Sequence, residues 1–151
     1  ADDVVLDGGP SQVGVESTII DCTSSSPRIL RPGAITEEMV AAATGSQLSQ
    51  SGTEIRVSGS LENHYAPKAK VFLDEHPVAG AGFIALEDIE TPDGVTRLAA
   101  PKSVEEFART LYESMREGDH QNLTTIYIEQ PTGAGLALAI RDRLSRSARG
   151  R

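Results

Sequence analysis

Residues 14–21 read Gly-Val-Glu-Ser-Thr-Ile-Ile-Asp and residues 28–33 read Arg-Ile-Leu-Arg-Pro-Gly, and these two stretches decide how the start of the chain folds. Valine and isoleucine favour extended backbone, so each stretch predicts a short β-strand. The residues between them, 23–27, read Thr-Ser-Ser-Ser-Pro and are typical of a hairpin connection. A helix should follow, because Thr36 can cap its first turn and Gly45 can end it.

Two polar side chains of this hairpin, Ser17 and Arg31, are candidates for ligand binding. A hydroxyl at a strand end can bind a carboxylate or phosphate, but serine is common there for structural reasons. The motif is not a nucleophile elbow, since it lacks the Gly-x-Ser-x-Gly pattern. Arg31 stands where Pro32 and Gly33 force a turn, and its planar guanidinium suits bidentate recognition of phosphate or carboxylate. A salt-bridged arginine is an equally good interpretation of Arg31 alone.

Residues 46–67 are interpreted as a linker, because their first part is rich in serine, glutamine and glycine and lacks hydrophobic periodicity. His64 and Tyr65 lie near its end, where an aromatic pair has no core to fill. An aromatic-bearing loop is suited to close over a nucleotide. The alternative is that the two residues anchor the linker to a neighbouring surface.

Residues 68–151 show alternating strand and helix patterns. Compact apolar runs predict strands at residues 71–73, 82–86 and 124–128. A capping box at Ser103 and Glu106 opens the clearest helix, and a second helical stripe comprises Leu136, Ile140 and Leu144. The predicted fold class is α/β: a three-layer Rossmann-like domain with a mostly parallel sheet.

Composition excludes several classes of protein. The net charge of −8 disfavours a nucleic-acid surface spread over the whole chain. No apolar run approaches the ~20 residues of a membrane span, and the acidic start, residues 1–3, is unlike a signal peptide. The single cysteine, Cys22, rules out an internal disulfide framework and is typical of a reducing compartment. We therefore predict a soluble, cytoplasmic protein in which Cys22 is buried on its strand.

Three remaining features are explained structurally. Residues 133–135, Gly-Ala-Gly, resemble a dinucleotide-binding turn, but the third small residue is out of register. The five arginines of residues 141–151 should complement a helix C-terminus and solubilise the tail rather than bind RNA. His76 and His120 lack the spacing of metal ligands. We therefore assign no catalytic residue and no metal ligand to this chain.

Four motifs, taken in order, resemble one enzyme family: residues 7–10, 14–19, 29–35 and 64–68. They resemble the two-domain, YrdC-like form of L-threonylcarbamoyladenylate synthase, and residues 133–144 are similar to that family's C-terminal domain. The resemblance implies that residues 1–45 are the C-terminal end of a YrdC-like catalytic domain. Residues 46–67 would then be a linker over the active site, and residues 68–151 a C-terminal Rossmann-like domain.

The resemblance also implies an activity for the parent protein. Such an enzyme combines L-threonine, bicarbonate and ATP, with Mg²⁺ on the triphosphate, into threonylcarbamoyl-AMP and pyrophosphate. A downstream transferase uses the product to make N6-threonylcarbamoyladenosine (t6A) in transfer RNA. Ser17 would line the L-threonine site and Arg31 the ATP phosphates, while Tyr65 and His64 would close over the nucleotide.

This sequence departs from the family's pattern in two ways. Residues 58–63 read Ser-Gly-Ser-Leu-Glu-Asn where many relatives have a Ser-Pro-Gly turn. The Lys-x-Arg pair and Ser-x-Asn segment that hold most of the family's ATP site are not among these 151 residues. We therefore expect a C-terminal fragment that is inactive alone. The alternative from another class is that residues 68–151 form a non-catalytic accessory or partner-binding α/β module.

Overall fold

The computed structural model describes residues 4–49 and 66–149. The strands of this part of the chain are β1 (Ile19–Asp21), β2 (Arg28–Arg31), β3 (Lys70–Leu73), β4 (Gly82–Ile84), β5 (Thr96–Ala99) and β6 (Thr125–Ile128). Its helices are α1 (Glu37–Thr44), α2 (Val104–His120) and α3 (Leu136–Arg149).

Strands β1 and β2 pair antiparallel, which confirms the predicted hairpin. Asp21 closes the hairpin: its carboxylate accepts hydrogen bonds from the backbone N–H and the hydroxyl of Thr23 at 3.0 and 2.6 Å, and Arg28 Nε lies 3.2 Å away. Asp21 is therefore the buried residue at this strand end, and Cys22, the next residue, is exposed. The prediction of a buried Cys22 is wrong because a satisfied polar side chain takes the inward position.

Helix α1 begins and ends as predicted. The Thr36 hydroxyl accepts a hydrogen bond from Met39 N at 3.3 Å, and Gly45, at φ 70°, donates its N–H to the Ala41 carbonyl at 2.8 Å. No residue of α1 is buried, and the side chains of Ile35 and Met39 are 54% and 55% exposed. This helix therefore forms from its local caps and not from burial of an apolar face within the described residues.

The larger sheet has the order β3-β6-β4-β5, and every neighbouring pair is parallel. The expectation of a parallel α/β sheet is therefore confirmed. Strand β5 was not predicted, because its residues Thr-Arg-Leu-Ala are half-buried at a sheet edge and lack a compact apolar run. Helix α2 starts at the predicted cap, where the Ser103 hydroxyl accepts from Glu106 N at 3.2 Å. The Glu106 carboxylate reaches the N–H of Lys102 at 2.8 Å, one residue before the capping position.

Helices α2 and α3 cover the same face of this sheet. Their buried residues, which include Phe107, Leu111 and Ile140, pack with Val71 and Ile126 in one continuous core. The opposite face carries Phe72, Tyr127 and Phe83, which are neighbours in register and pack with loop residues such as Ile89 and Val95. In the described residues the layer on this second face is thus formed by loops.

Arg97 of β5 fastens those loops to the sheet. Its guanidinium donates hydrogen bonds of 2.7–3.0 Å to the carbonyls of Ala85, Leu86, Ile89 and Ala99 and to the Thr91 hydroxyl. Burial lowers the pKa of the Arg97 guanidinium, but arginine remains charged under all ordinary conditions. The loops therefore owe their position to one cation that satisfies several backbone oxygens at once.

The chain enters the larger sheet through a carboxylate of α2. Both oxygens of Asp119 accept hydrogen bonds from Lys68 N, at 2.8 and 2.9 Å, and Oδ1 also accepts from Ala69 N at 3.0 Å. Lys70 N then bonds to the Thr124 carbonyl and begins the β3–β6 ladder. The exit of the predicted linker is thus fixed to the last turn of α2. Among the described residues, no helix combines the length and the apolar character needed to cross a membrane.

Candidate functional site

The structure brings the two predicted site residues, Ser17 and Arg31, into direct contact. Arg31 Nε donates to the Ser17 carbonyl at 3.0 Å, and Arg31 Nη2 donates to the Ser17 hydroxyl at 3.1 Å. Arg31 is buried, with 8% of its surface exposed, whereas Ser17 is exposed. A buried cation therefore holds a solvent-facing hydroxyl at the end of the hairpin.

Gly33 allows this contact to form. A Cβ atom at position 33 would lie 2.5 Å from the Glu16 carbonyl oxygen and 2.5 Å from Thr18 N, closer than real Cβ contacts come. Thr18 completes the turn by donating its hydroxyl to the Ile35 carbonyl at 2.6 Å. Glycine is thus needed at position 33 so that the backbone of residues 16–18 can lie directly against it.

Glu16, the residue before Ser17, contacts α2 and α3, the two helices of the larger domain, which comprises β3 to β6, α2 and α3. It was not predicted as a site residue. Its Oε2 accepts from Arg143 Nε at 2.6 Å and from the Tyr112 hydroxyl at 3.1 Å. Burial alone would raise the pKa of the Glu16 carboxyl, but the hydrogen bonds and charge of Arg143, with Tyr112, outweigh burial and lower that pKa. Glu16 therefore remains an anion while half-buried.

Arg143 is 4% exposed, so its prediction as a solvated arginine is wrong. Besides Glu16, it contacts the Asp142 carboxylate and donates from Nη2 to the Pro32 carbonyl at 3.1 Å. Two other arginines of the predicted tail also have structural partners: Arg141 bonds to the carbonyls of Pro131 and Gly133, and Arg146 bonds to Asp142. Sequence offered one signal, the i, i+4 spacing of Asp142 and Arg146.

Gly14 brings the same segment against α2. Its φ is 82°, and a Cβ atom there would overlap the Ala108 carbonyl oxygen and the Arg109 Cα. Only glycine accepts both this backbone conformation and this close approach. The motif that begins at Gly14 therefore contains a packing glycine, an ion-paired Glu16 and an exposed Ser17, each with a different task.

The other predicted site residues, His64 and Tyr65, lie outside the described residues. The same is true of the predicted linker between residues 50 and 65, including its departure from the family's turn.

A separate cavity of about 360 Å³ opens at the carboxyl ends of β3 and β6. It is lined by Asp74, residues 129–133 and Arg141, and neither Ser17 nor Arg31 contributes to it. Two of its charged side chains are engaged within the protein: Asp74 accepts from Gln130, and Arg141 donates to two backbone carbonyls. Among residues 4–49 and 66–149, no group of three or more His, Cys, Asp or Glu side chains could hold a metal ion.

The chemistry open to the Ser17–Arg31 pair is binding and not nucleophilic attack. Arg31 carries only donors and cannot take a proton from the Ser17 hydroxyl, so it is not a general base. An exposed hydroxyl beside a guanidinium suits a ligand that carries a carboxylate or phosphate.

Comparison with known proteins gives three findings. A family model described as "Threonylcarbamoyl-AMP synthase, C-terminal domain" matches residues 35–149, which include α1 as well as the larger domain. The threonylcarbamoyl-AMP synthase of Bacillus subtilis is 30% identical over 169 residues, which cover 97% of this chain and 49% of that protein. The chain spans about half the length of the curated relatives it matches.

Two solved structures share the fold. A crystal structure of P. abyssi Sua5 complexed with L-threonine matches with a TM-score of 0.74 and 29% identity, over 94% of this chain and 48% of that one. A second structure is of a P. abyssi Sua5 variant in which an adjacent histidine and tyrosine are both replaced by alanine. It matches with a TM-score of 0.73 and 27% identity, over 94% of this chain and 47% of that one.

Proposed function

Because this chain belongs to the threonylcarbamoyl-AMP synthase C-terminal domain family, we propose that its parent protein is a threonylcarbamoyl-AMP synthase. The parent enzyme joins L-threonine, bicarbonate and ATP into threonylcarbamoyl-AMP and releases pyrophosphate. The product then serves a downstream transferase that forms t6A in transfer RNA. A cytoplasmic location is part of the same proposal. The names of the matched relatives support this assignment.

The observation that carries the proposal is the Ser17–Arg31 contact, in a chain whose fold matches a protein solved with L-threonine. Ser17 is the L-threonine-binding residue in this proposal, since its exposed hydroxyl can hydrogen-bond an amino-acid carboxylate. Arg31 contacts the ATP phosphates and holds Ser17 in place. Both residues position substrates and neutralise charge, and neither supplies a nucleophile.

Tyr65 and His64 close over the nucleotide in this proposal. The same dipeptide, histidine followed by tyrosine, was replaced by alanine in one of the P. abyssi Sua5 structures. In the present chain it occurs at residues 64–65, which supports a role for it in the parent protein. Their aromatic rings would stack on or border the base while the linker excludes water from the reacting phosphate.

Mg²⁺ enters as part of the ATP substrate. The carboxylate next to Ser17, that of Glu16, is engaged by Arg143 and Tyr112, and the described residues contain no three-ligand cluster. In this proposal the triphosphate oxygens hold the ion. Bound there, Mg²⁺ neutralises charge on the phosphates.

The proposed domain organisation is that residues 1–45 complete a YrdC-like catalytic domain, residues 46–67 form the linker, and residues 68–151 form the C-terminal domain. The exposed apolar side chains support this. Val4, Val5 and Leu6 are 87%, 84% and 93% exposed, and α1 buries none of its residues. In contrast, α2 buries six residues in its own core. An upstream part of the catalytic domain would cover the apolar surface of residues 4–45.

Pyrophosphate release by the parent protein tests the function. We expect release that requires L-threonine, bicarbonate and ATP together, and threonylcarbamoyl-AMP as the product by mass spectrometry. The 151-residue chain, assayed beside it, should be inactive. Release from the parent that does not depend on L-threonine would overturn the proposed reaction. Full turnover by the 151-residue chain would overturn the proposal that residues 1–45 form only part of the catalytic domain.

A further inference from the structure

One side chain of α3, Arg143, contacts the neighbours of both proposed site residues. Its Nε donates to Glu16, which immediately precedes Ser17, at 2.6 Å. Its Nη2 donates to the carbonyl of Pro32, which immediately follows Arg31, at 3.1 Å. A single guanidinium of the C-terminal domain therefore donates hydrogen bonds both to the segment that contains Ser17 and to the segment that contains Arg31.

These contacts close a ring with the site itself. Ser17 and Arg31 are joined by two hydrogen bonds of 3.0 and 3.1 Å, and each is covalently linked to a residue that Arg143 holds. Tyr112 of α2 donates to the same oxygen of Glu16 at 3.1 Å, so that carboxylate is fixed by two helices. A change in the position of Arg143 would therefore move Ser17 and Arg31 relative to each other.

Attachment of the hairpin to the C-terminal domain has a second source. Gly14 packs against the α2 backbone, and Gly135 lies close enough to Thr36 that a Cβ atom there would approach its methyl group at 3.3 Å. Such close steric contacts hold two surfaces together but are less directional than hydrogen bonds. The charged hydrogen bonds of Arg143 are directional, and directional contacts fix geometry.

We propose that Arg143 is a positioning residue through which the C-terminal domain sets the geometry of the Ser17–Arg31 substrate site. This inference rests on the proposed function. It gives the C-terminal domain a task within the reaction: α3 holds the substrate-binding hairpin in its competent form. Arg143 touches no substrate and acts only through Glu16 and Pro32.

The test compares Arg143→Gln with Arg146→Gln in the parent enzyme. Arg146 is a matched control, because it lies on the same helix and bonds to the same Asp142 but makes no hydrogen bond to the hairpin. We expect Arg143→Gln to raise KM for L-threonine about tenfold or more, the size typical of coupling between sites. Arg143→Lys should be intermediate, because a lysine can satisfy Glu16 but has no fork to reach Pro32 as well. Arg146→Gln should leave KM unchanged.

A purely structural role predicts a different result. It would lower the melting temperature of Arg143→Gln while KM, measured well below that temperature, stays at the wild-type value, and this outcome would overturn the proposal. If Arg143→Gln does not fold, Tyr112→Phe provides a second variant, because it removes the second hydrogen bond to Glu16. That variant should raise the same KM about threefold, a change of about 0.65 kcal/mol. An unchanged KM for Tyr112→Phe would then overturn the proposal.

A binding-independent measurement separates this inference from the function. In the 151-residue chain, hydrogen exchange of the backbone amides of residues 14–33 should be faster in Arg143→Gln than in Arg146→Gln. Equal exchange in the two variants overturns the positioning role whatever the parent protein catalyses. Faster exchange together with a parent that lacks threonine-dependent turnover would retain the coupling and reject the proposed function.

Discussion

Glu16 and Arg143 are 127 positions apart in the chain, and their side chains meet at 2.6 Å. The pair joins the hairpin that carries Ser17 and Arg31 to the last helix of the parallel-sheet domain. Arg143 is buried and Glu16 is half-buried, so each needs the other to offset the loss of water around its charge. Several properties of the protein depend on this one contact.

The first prediction concerns pH. The pKa of Glu16 is lowered in the folded protein, so ionised Glu16 stabilises the fold above the ordinary carboxyl pKa, and this stabilisation is lost as pH falls through the lowered value. Glu16→Gln should cost about 1–3 kcal/mol of unfolding free energy at pH 7. The difference between wild type and variant should shrink as the pH falls below the ordinary carboxyl pKa and vanish once the pH lies below the lowered pKa of Glu16. Urea titrations followed by circular dichroism at each pH measure it, and a constant difference down to pH 3 would contradict the prediction.

The second prediction concerns Gly14. Gly14→Ala forces a Cβ atom against the α2 backbone and into an unfavourable φ, so we expect a loss of about 3 kcal/mol. Gly9→Ala is the matched control, because Gly9 has nearly the same φ, 81°, but no atom within 4 Å of the new Cβ. Thermal unfolding of the two variants separates the cost of the clash with α2 from the cost of placing alanine at a positive φ. Equal losses would show that the contact with α2 does not determine the stability.

The third prediction concerns Ser17. Since its hydroxyl is exposed and held by Arg31, Ser17→Ala should raise KM for L-threonine about tenfold in the parent enzyme. Its unfolding free energy should change by less than about 1 kcal/mol. Ser24→Ala is the control, since the Ser24 hydroxyl bonds to the Ser26 carbonyl within the hairpin connection. A KM for Ser17→Ala equal to that of the control would remove Ser17 from the threonine site.

The fourth prediction concerns Arg31. Lysine keeps the charge but cannot donate to both the carbonyl and the hydroxyl of Ser17 in a fixed plane. Arg31→Lys should therefore raise KM for ATP and for L-threonine together, by about tenfold each. Arg28→Lys, on the same strand, should change neither, because Arg28 pairs with Asp21 at the other end of the hairpin. Steady-state pyrophosphate assays with each substrate varied in turn distinguish the two variants, and parallel behaviour would exclude a specific role for Arg31.

The fifth prediction concerns Arg97. Arg97→Met leaves four backbone carbonyls and a hydroxyl without their donor, so we expect a loss of about 2–4 kcal/mol. Arg116→Met is the control, because Arg116 is exposed on α2, and its change should stay within about 0.5 kcal/mol. The chain has no tryptophan, so circular dichroism in urea is the suitable probe. A loss for Arg97→Met no larger than that of the control would mean that water replaces the guanidinium at these carbonyls.

Local features of this fold were predictable from sequence where the deciding interactions are local. Thr36 and Ser103 cap helices by bonding to residues three positions away, and a short window of sequence contains both partners. Strand β5 escaped prediction because Arg97 interrupts its apolar pattern. The reason for an arginine there is a set of carbonyl groups that the fold brings around its guanidinium, at residues 85, 86, 89 and 99. Ser17 and Arg31 were each predicted from sequence as site residues, but the contact between them was not predicted.

The contacts between the hairpin and the larger domain were not predictable in the same way. The i, i+4 spacing indicates Asp142 as the partner of Arg146, but nothing near Arg143 in sequence indicates that it is buried against Glu16. Glu16 likewise has no local partner. Pairing of charges across more than a hundred residues requires the fold first. The sequence therefore predicted Arg143 to be solvated and indicated no partner for Glu16.

The three hydrogen bonds that Asp119 accepts from residues 68 and 69 have a mechanical consequence. Tension applied along the chain from the linker side reaches this carboxylate before it reaches the β3–β6 ladder, which starts at Lys70. The load therefore passes into the last turn of α2, and the hydrogen bonds of β3 are shielded until Asp119 releases. Asp119→Ala would shift the point of first rupture in a pulling experiment from the helix end to the edge of the sheet.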